Sequence, residues 1–491
     1  MEDRYIKNRG YILAAIMLAM FLAAIEATIV STAMPSIVSD LGGFSLYSWV
    51  FSAYLLTNAA TVLLFGRLSD IFGRKPIFLT GISLFLVGAI LSAMAPSMKV
   101  LIGARLIQGL GAGALMPIAT TIVGDIYTKE ERAKIQGYLA SVWGISAVTG
   151  PALGGFFVDI LSWHYVFWMN IPLGLLAMIG IIYFFDEKVI KERRSVDVAG
   201  SIWVVLTVSS IMVVLVEGGV RIAWVSFPML ILLTVAVVGF LLFMQQERKA
   251  QEPMMPFHIW SIPSIRYANL TSLTTGMILI GVSSYLPAFV QGVMEQPAIV
   301  AGFTLTTMSI GWPIASTSAG HLLLKIGFRS TSILGGISLI IGGILFSMLS
   351  PEKGPWFAAS GSLFIGIGMG LSSTSFIVSI QNSVGWKTRG IATATNMFMR
   401  TIGSAIGAAL LGGILNGRIK ANIEASSLPD SYTVDSTNEL LKEADREALG
   451  SKALNILQEA LASGLHMVYI GLLVLAIISF LLILKLPKQE D

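Results

Sequence analysis

A few ionisable side chains stand where water is scarce, and each poses a chemical question. Glu26 lies inside FLAAIEATIVSTAMP (21–35) and Arg105 inside VLIGARLIQGLGAG (100–113). A carboxylate in so apolar a stretch needs a partner, a proton or a purpose. A group that holds a proton in one setting and releases it in another is the smallest machinery for coupling proton movement to other work. Arg400, in MFMRTIGSAIG (397–407), is the third such group, and its partner is not evident from the sequence. Glu217 and Asp125 fall near the ends of apolar stretches, where contact with water is cheap. Other chemistries are excluded by what the chain lacks. There are no cysteines, so disulfides, thiolate metal sites and cysteine nucleophiles are out. His164, His258, His321 and His466 are scattered without ligand spacing, and no phosphate-cradling loop is present.

The elements that must position these groups follow from composition. The chain has 491 residues, 55% hydrophobic and 12% charged, too little charge for a water-exposed surface of that size. Lipid is the expected solvent. A bilayer core of about 30 Å takes about 20 apolar residues as a helix. Fourteen such stretches occur, from 11–31 to 463–484. The first is longer than a signal-peptide core and many like it follow, so it is read as a span. Basic residues including Arg9, Arg74, Lys75, Lys188, Arg193, Arg248, Arg329 and Lys485 gather on one face, against Lys99, Arg221 and Lys353 in short loops on the other. By the positive-inside rule both termini are cytoplasmic. The net charge of +4 reflects this asymmetry and does not point to nucleic acid. Residues 416–462 form one long outer loop, and STNELLKEADREALGSKALNILQEAL (436–461) has helical periodicity, so an amphipathic helix on the outer surface is expected there.

Depth along the helices brings two of the charges together. Glu26 lies about 22 Å along the first span from the cytoplasmic side, at 1.5 Å per residue. Arg105 lies about 8 Å down the fourth span from the outer side. In a core of about 30 Å these levels coincide.

An internal repeat organises the rest. GRLSDIFGRK (66–75) follows the second span and GHLLLKIGFR (320–329) follows the tenth, with Gly66/Gly320, Gly73/Gly327 and Lys75/Arg329 in register. The chain therefore reads as two six-span halves with two further spans between them, the plan of secondary transporters. Four segments then carry a family resemblance. GRLSDIFGRK resembles the loop signature of the major facilitator superfamily, and RLIQGLGAG (105–113) the span 4 signature of its drug exporters. GPALGG (150–155) resembles their antiporter signature, and WHYVFWMNIPLG (163–174) the start of span 6 in the fourteen-span drug:proton antiporters.

The resemblance implies an all-α integral membrane fold of two six-helix bundles with two additional helices between them. The divisions are 1–186, 187–250 and 251–491, the last including the loop 416–462. It implies that Glu26 and Arg105 line a central cavity and form a proton-coupling pair, although a static ion pair fixing the packing is the plainer alternative. Gly66, Asp70, Gly73, Arg74 and Lys75 would form a conformational latch, with Asp70 docking near Gly390 at the start of span 13. The second copy has Leu324 in place of Asp70. Gly150, Pro151, Gly154 and Gly155 would kink and closely pack span 5, sealing or hinging the halves. A substrate cavity would draw on Tyr54, Asn58, Gln108, Trp143, Asn269, Asn396, Met397, Phe398 and Arg400, since aromatic and methionine surfaces adapt to varied apolar ligands.

The expected function is proton-coupled efflux of amphipathic drugs or dyes by a one-component pump of the cell membrane. The partners are small molecules, protons and the lipid bilayer, with the protein a monomer and no cofactor beyond the proton. A dedicated exporter of one metabolite, antibiotic, peptide or lipid would use the same motifs. An intramembrane enzyme lacks paired carboxylates or a Ser/His arrangement within the spans, and a sensor lacks a soluble signalling domain.

Overall fold

A computed structural model describes residues 2–127, 129–187, 198–249, 257–429, 431–441, 446 and 449–487. The expected divisions near 187 and 250 fall beside segments outside that set. The described chain is helical, and its long helices are α1 (Glu2–Leu41), α2 (Tyr47–Phe72), α3 (Arg74–Ala93), α4 (Met98–Ile126), α5 (Lys129–Phe156) and α6 (Asn170–Phe184). These are followed by α7 (Val198–Glu217), α8 (Phe227–Lys249), α9 (Pro263–Gly292) and α10 (Ala298–Ser347). The last three are α11 (Gly354–Asn382), α12 (Trp386–Glu424) and α13 (Ser451–Leu484). Among the described residues, 12 helices are long and apolar enough to cross a membrane, and Ile202–Glu217 is a shorter apolar helix. The 50 residues of α10 are interrupted at Gly327, whose φ of 76° and ψ of 169° are not helical. As a helix, 50 residues would run about 75 Å, far beyond one bilayer core.

The two copies of the repeat fold alike. Gly73 and Gly327 both take positive φ, 99° and 76°, a region that costs other residues dearly. After each glycine a basic side chain reaches the end of the last helix of its own half. Lys75 donates from Nζ to the Ile182 carbonyl of α6 at 2.8 Å, and Arg329 from Nη2 to the Leu484 carbonyl of α13 at 2.8 Å. Cations at carbonyl-rich helix ends are favourable, so the repeat ties each half shut in the same way.

Helices from both halves meet at one end of the molecule, the end carrying residues 42–46, 218–226, 425–429 and 431–441. One apolar cluster there joins Ile37, Phe44, Tyr47 and Phe51 to Tyr285, Phe289, Leu411 and Leu465. The Tyr47 hydroxyl donates to the Ser284 carbonyl at 2.6 Å, and Gln291 Nε2 to the Thr32 carbonyl at 3.1 Å. Ser45 is gripped three times: its N–H donates to Asp435 Oδ1 (2.9 Å), its hydroxyl accepts from Arg221 Nη2 (2.7 Å), and its carbonyl accepts from Asn416 Nδ2 (2.7 Å). At the opposite end, Arg9 pairs with Glu131 and Arg74 with Asp125 inside the first half.

α7 packs on α8 and also lies against α2 and α12, touching both halves. Its end is pinned from each side, by Trp49 Nε1 donating to Glu217 Oε1 at 2.9 Å and by Lys420 Nζ donating to the Val220 carbonyl at 3.0 Å. Glu217, expected to snorkel, thus holds an indole and Arg221 (3.7 Å).

The outer amphipathic helix expected over 436–461 is corrected at its two described ends, while 442–445 and 447–448 lie outside the described residues. Val434–Leu440 forms a short 3-10 helix with Val434, Thr437 and Leu440 buried, and α13 already begins at Ser451. The physical reason lies in the spacing: Ala453, Leu457, Ala460, Leu461 and Leu465 make one buried stripe that runs without a break into the membrane helix.

Candidate functional site

Four helices of the first half enclose the ion pair. Glu26 on α1 accepts from Arg105 Nη1 on α4 at Oε1, and from Asn170 Nδ2 on α6 at Oε2 (2.9 Å). Arg105 Nη1 also donates to Gln108 Oε1 at 2.7 Å, and the guanidinium lies 4.2 Å from the centroid of the Tyr54 ring on α2. Glu26, Gln108 and Asn170 have no exposed surface, with Arg105 at 1% and Tyr54 at 4%. The cluster is neutral as a pair and sealed from water. Each oxygen of the carboxylate has a donor, and both donors favour its ionised form, so protonation weakens the hold of Arg105 and Asn170 on it.

The site reads well against the sequence with two differences. Glu26 and Arg105 share a level as their depths require, and they are bonded directly. Tyr54 and Gln108, expected in the substrate cavity, instead wall in this pair. Asn170 is absent from the sequence-based set. Its signal was there, because it is the one amide at the start of the NIPLG segment, on a helix that packs against α1.

α5 is a wedge between halves. A side chain at Gly150 would strike Thr28, and one at Gly154 would meet the Ile29 carbonyl, both on α1. A side chain at Gly155 would strike the backbone of Ile299, while Gly302 lies against the Pro151 carbonyl, on the α10 side. Just beyond, Asp159 accepts from the Ile299 N–H at 2.9 Å and the Ala298 N–H at 3.3 Å, capping α10 across the seam. Asp159 is a further residue that the motif reading missed.

The remaining candidates separate. Asn396 Nδ2 bonds Asn269 Oδ1 (3.0 Å) and Ser272 Oγ (2.8 Å), buried between α12 and α9. Phe398 belongs to an apolar cluster with Leu56, Ala59, Val204, Val208 and Phe243, so it seats α7 and α8 rather than facing open space. Asn58 is half-buried, whereas Trp143 and Met397 are 45% and 46% exposed. Arg400 is half-buried, its guanidinium 5.9 Å from the centroid of the Trp312 ring. In the loop motif, the Glu187 carboxylate accepts from the Arg74 and Lys75 N–H groups at 2.7 and 2.8 Å, capping α3. The latch expected between Asp70 and the surroundings of Gly390 lies outside the described side chains. A side chain at Gly66 would meet nothing within 4 Å. At the end of α4, the Tyr127 hydroxyl donates to the Arg9 carbonyl at 3.0 Å, and burial pushes its phenol above the usual range. Among the described residues no group of three or more His, Cys, Asp or Glu could hold a metal.

Repeated halves, a helix-lined seam and a buried charge cluster define a multi-pass helical membrane protein of the transporter type. The sequence profile of the Major Facilitator Superfamily matches residues 16–408, and the chain belongs to that family. It is a transporter and not an enzyme. Similar proteins include the multidrug transporter protein MdtP of Bacillus subtilis (strain 168), 34% identical over 82% of this chain and 74% of that protein. Multidrug resistance protein 3 of the same organism is 31% identical over 98% of this chain and 95% of its own. Among solved structures, a bacterial homolog of the human lysosomal transporter Spinster, in an inward-facing and unoccupied conformation, superposes with a TM-score of 0.69. It covers 98% of both chains at 14% identity, a likeness of fold alone.

Proposed function

We propose that this protein exports amphipathic drugs from the cytoplasm in exchange for protons. The carrying observation is the dry Glu26–Arg105–Asn170 cluster, in which protonating the carboxylate removes the charge that holds Arg105 to it. The names of the two Bacillus subtilis relatives support the efflux reading. In this reading the chain crosses the membrane fourteen times: α10 counts as two spans divided at Gly327, and α7 as one. Both termini are cytoplasmic, the helices form two six-span bundles flanking α7 and α8, and the sealed end faces outward.

The contacts support a cycle in two strokes. Opening the sealed end admits water to Glu26, which binds a proton and releases Arg105. Closing that end and opening the other exposes the acid to the cytoplasm, where the proton leaves and Arg105 rebinds. Substrate moves outward in the alternate step. One charge moving across 100 mV is worth about 2.3 kcal/mol, enough to sustain a sizeable substrate gradient. The test uses everted membrane vesicles bearing wild type or Glu26→Gln, with ethidium uptake and proton release recorded together. Coupled flux in wild type, with drug binding but no proton release in the variant, is the expected result. Normal pumping by Glu26→Gln would make the pair structural.

A further inference from the structure

Resting on the rocking cycle of the export reading above, we propose that α7 is a sliding seal. It travels with α12 and slides over α2, keeping lipid tails out of the seam between the two halves on that flank.

Two adjacent glycines lead to this role. α12 turns one stripe toward α2 and α7, made of Phe398, Ala405, Ala409, Gly412, Gly413 and Asn416 at the spacing of a helix face. A side chain at Gly412 would strike Ser48 of α2, and one at Gly413 would strike the Leu215 carbonyl of α7. Three helices, one from each half and one from between them, therefore converge on a single turn of α12. Away from the sealed end, Val204, Val208 and Met212 of α7 join Leu56 and Ala59 of α2 and Ala405 and Ala409 of α12 in one buried cluster. The opposite edge of α7 carries Ile202 and Leu206, both exposed, as a lipid-facing surface requires.

The two holds on α7 differ in kind. On the α12 side the backbone of α7 sits in the notch at Gly413. Just past the end of α7, Lys420 Nζ donates to the Gly219 and Val220 carbonyls at 3.2 and 3.0 Å, a cation where a helix end favours one. On the α2 side Leu56 and Ala59 offer a low apolar surface. The polar ties to the first half are Trp49 to Glu217 (2.9 Å) and Arg221 to the Ser45 hydroxyl (2.7 Å), both at the sealed end. Packed helices shear past one another by small side-chain adjustments, whereas a backbone seated in a glycine notch cannot shift without leaving it. When the halves part, α7 stays on α12, and its two ties to the first half exchange for water at the opening mouth. α8 packs on α7, with Thr207 against Gly239, and rides along.

The need for a seal is physical. In a bilayer an apolar groove gains nothing by closing, because acyl chains fill it as well as leucine does. Without α7, Leu56, Ala59, Ala405 and Ala409 would line such a groove, and a tail lodged there would keep the halves from closing again. The α5–α10 seam closes differently: backbone meets backbone at Gly155 and Gly302, and Asp159 caps α10 across it.

The chain has no cysteine, so introduced pairs test the assignment directly. Val220→Cys with Lys420→Cys ties α7 to α12, and Trp49→Cys with Glu217→Cys ties it to α2. Each pair is bridged by a short bis-maleimide in the purified full chain and returned to proteoliposomes, with the unlinked pair as its reference. Ethidium transport is expected to survive the first link and to be lost with the second. Loss with the first link, or survival of the second, overturns the proposal. A further measurement needs no transport. A photoactivated diazirine lipid is expected to leave Leu56 and Ala59 unlabelled in wild type and to label them in Gly413→Leu, which lifts α7 from its notch. Label there in wild type, or none in the variant, also overturns the seal. If wild type transports no drug while the footprint comes out as expected, the export reading falls and the seal stands.

Discussion

Removing Arg105 tests whether the buried pair is an obligate unit. In Arg105→Met the carboxylate of Glu26 keeps Asn170 as a donor but loses its counter-charge, and Gln108 loses the donor to its Oε1. Methionine refills part of the volume beneath the Tyr54 ring. Breaking a buried pair from one side costs about 3–5 kcal/mol, because the remaining charge is stranded. Glu26→Gln strands Arg105 instead, at a similar cost. The double variant strands neither, so it should regain most of the stability lost in each single one, a coupling well outside the additivity error of about 0.5 kcal/mol. Equilibrium unfolding in mixed micelles, followed by tryptophan fluorescence, reads all four corners of the cycle. The same preparations in proteoliposomes report coupling: the double variant is expected to be stable and to move no protons. Additive losses would refute the claim that the two groups act as one unit. A stable double variant that still exchanges drug for protons would remove the pair from the mechanism altogether.

Further outcomes follow from single contacts. Gly73→Ala forces a side chain into a backbone region that is nearly glycine-only and should cost about 1–3 kcal/mol in thermal unfolding, while Gly66→Ala, facing open space, should cost almost nothing. Glu187→Gln weakens the cap on α3 and should cost about 1 kcal/mol in the same assay. Gly155→Leu drives a side chain into the Ile299 backbone and should hold the seam ajar. Because the chain has no cysteine, one introduced at Ser48 reports this as faster maleimide labelling, and an unchanged rate would count against the wedge.

Much of this architecture was legible in the sequence because lipid imposes strict rules. The all-helical membrane architecture and the level match of Glu26 with Arg105 follow from hydropathy and helix rise, while against the fourteen stretches read from the sequence 12 helices among the described residues are long and apolar enough to cross a membrane. The repeat predicted more than its letters: Lys75 and Arg329, matched only by position, perform the same capping contact. Side-chain neighbours across helices were less legible. A helix periodicity gives a residue its face but not the helix that face meets, so Tyr54 and Gln108 were assigned to a substrate cavity without their contact with the Arg105 guanidinium being legible. Asn170 and Asp159 act through contacts 144 and 140 positions away, where a local pattern carries no information. The end of the long loop misled for another reason: the amphipathic stripe from Ala453 was real, but the surface it covers belongs to the bundle and not to the membrane interface.

On the proposed export reading, the triple grip on Ser45 bears on how transport avoids waste. Its N–H, hydroxyl and carbonyl are claimed by three separate segments: the 434–440 turn, the α7–α8 connection and α12. Loosening one claimant leaves the other two in place, so a fluctuation of any single segment does not part the mouth. Opening becomes a concerted event in which three bonds exchange for water together. A gate built this way spends little time half-open, and a half-open gate is the state through which ions would slip without carrying cargo. The two helices between the halves thereby become part of the lock, since the turn that joins them holds one of its three keys.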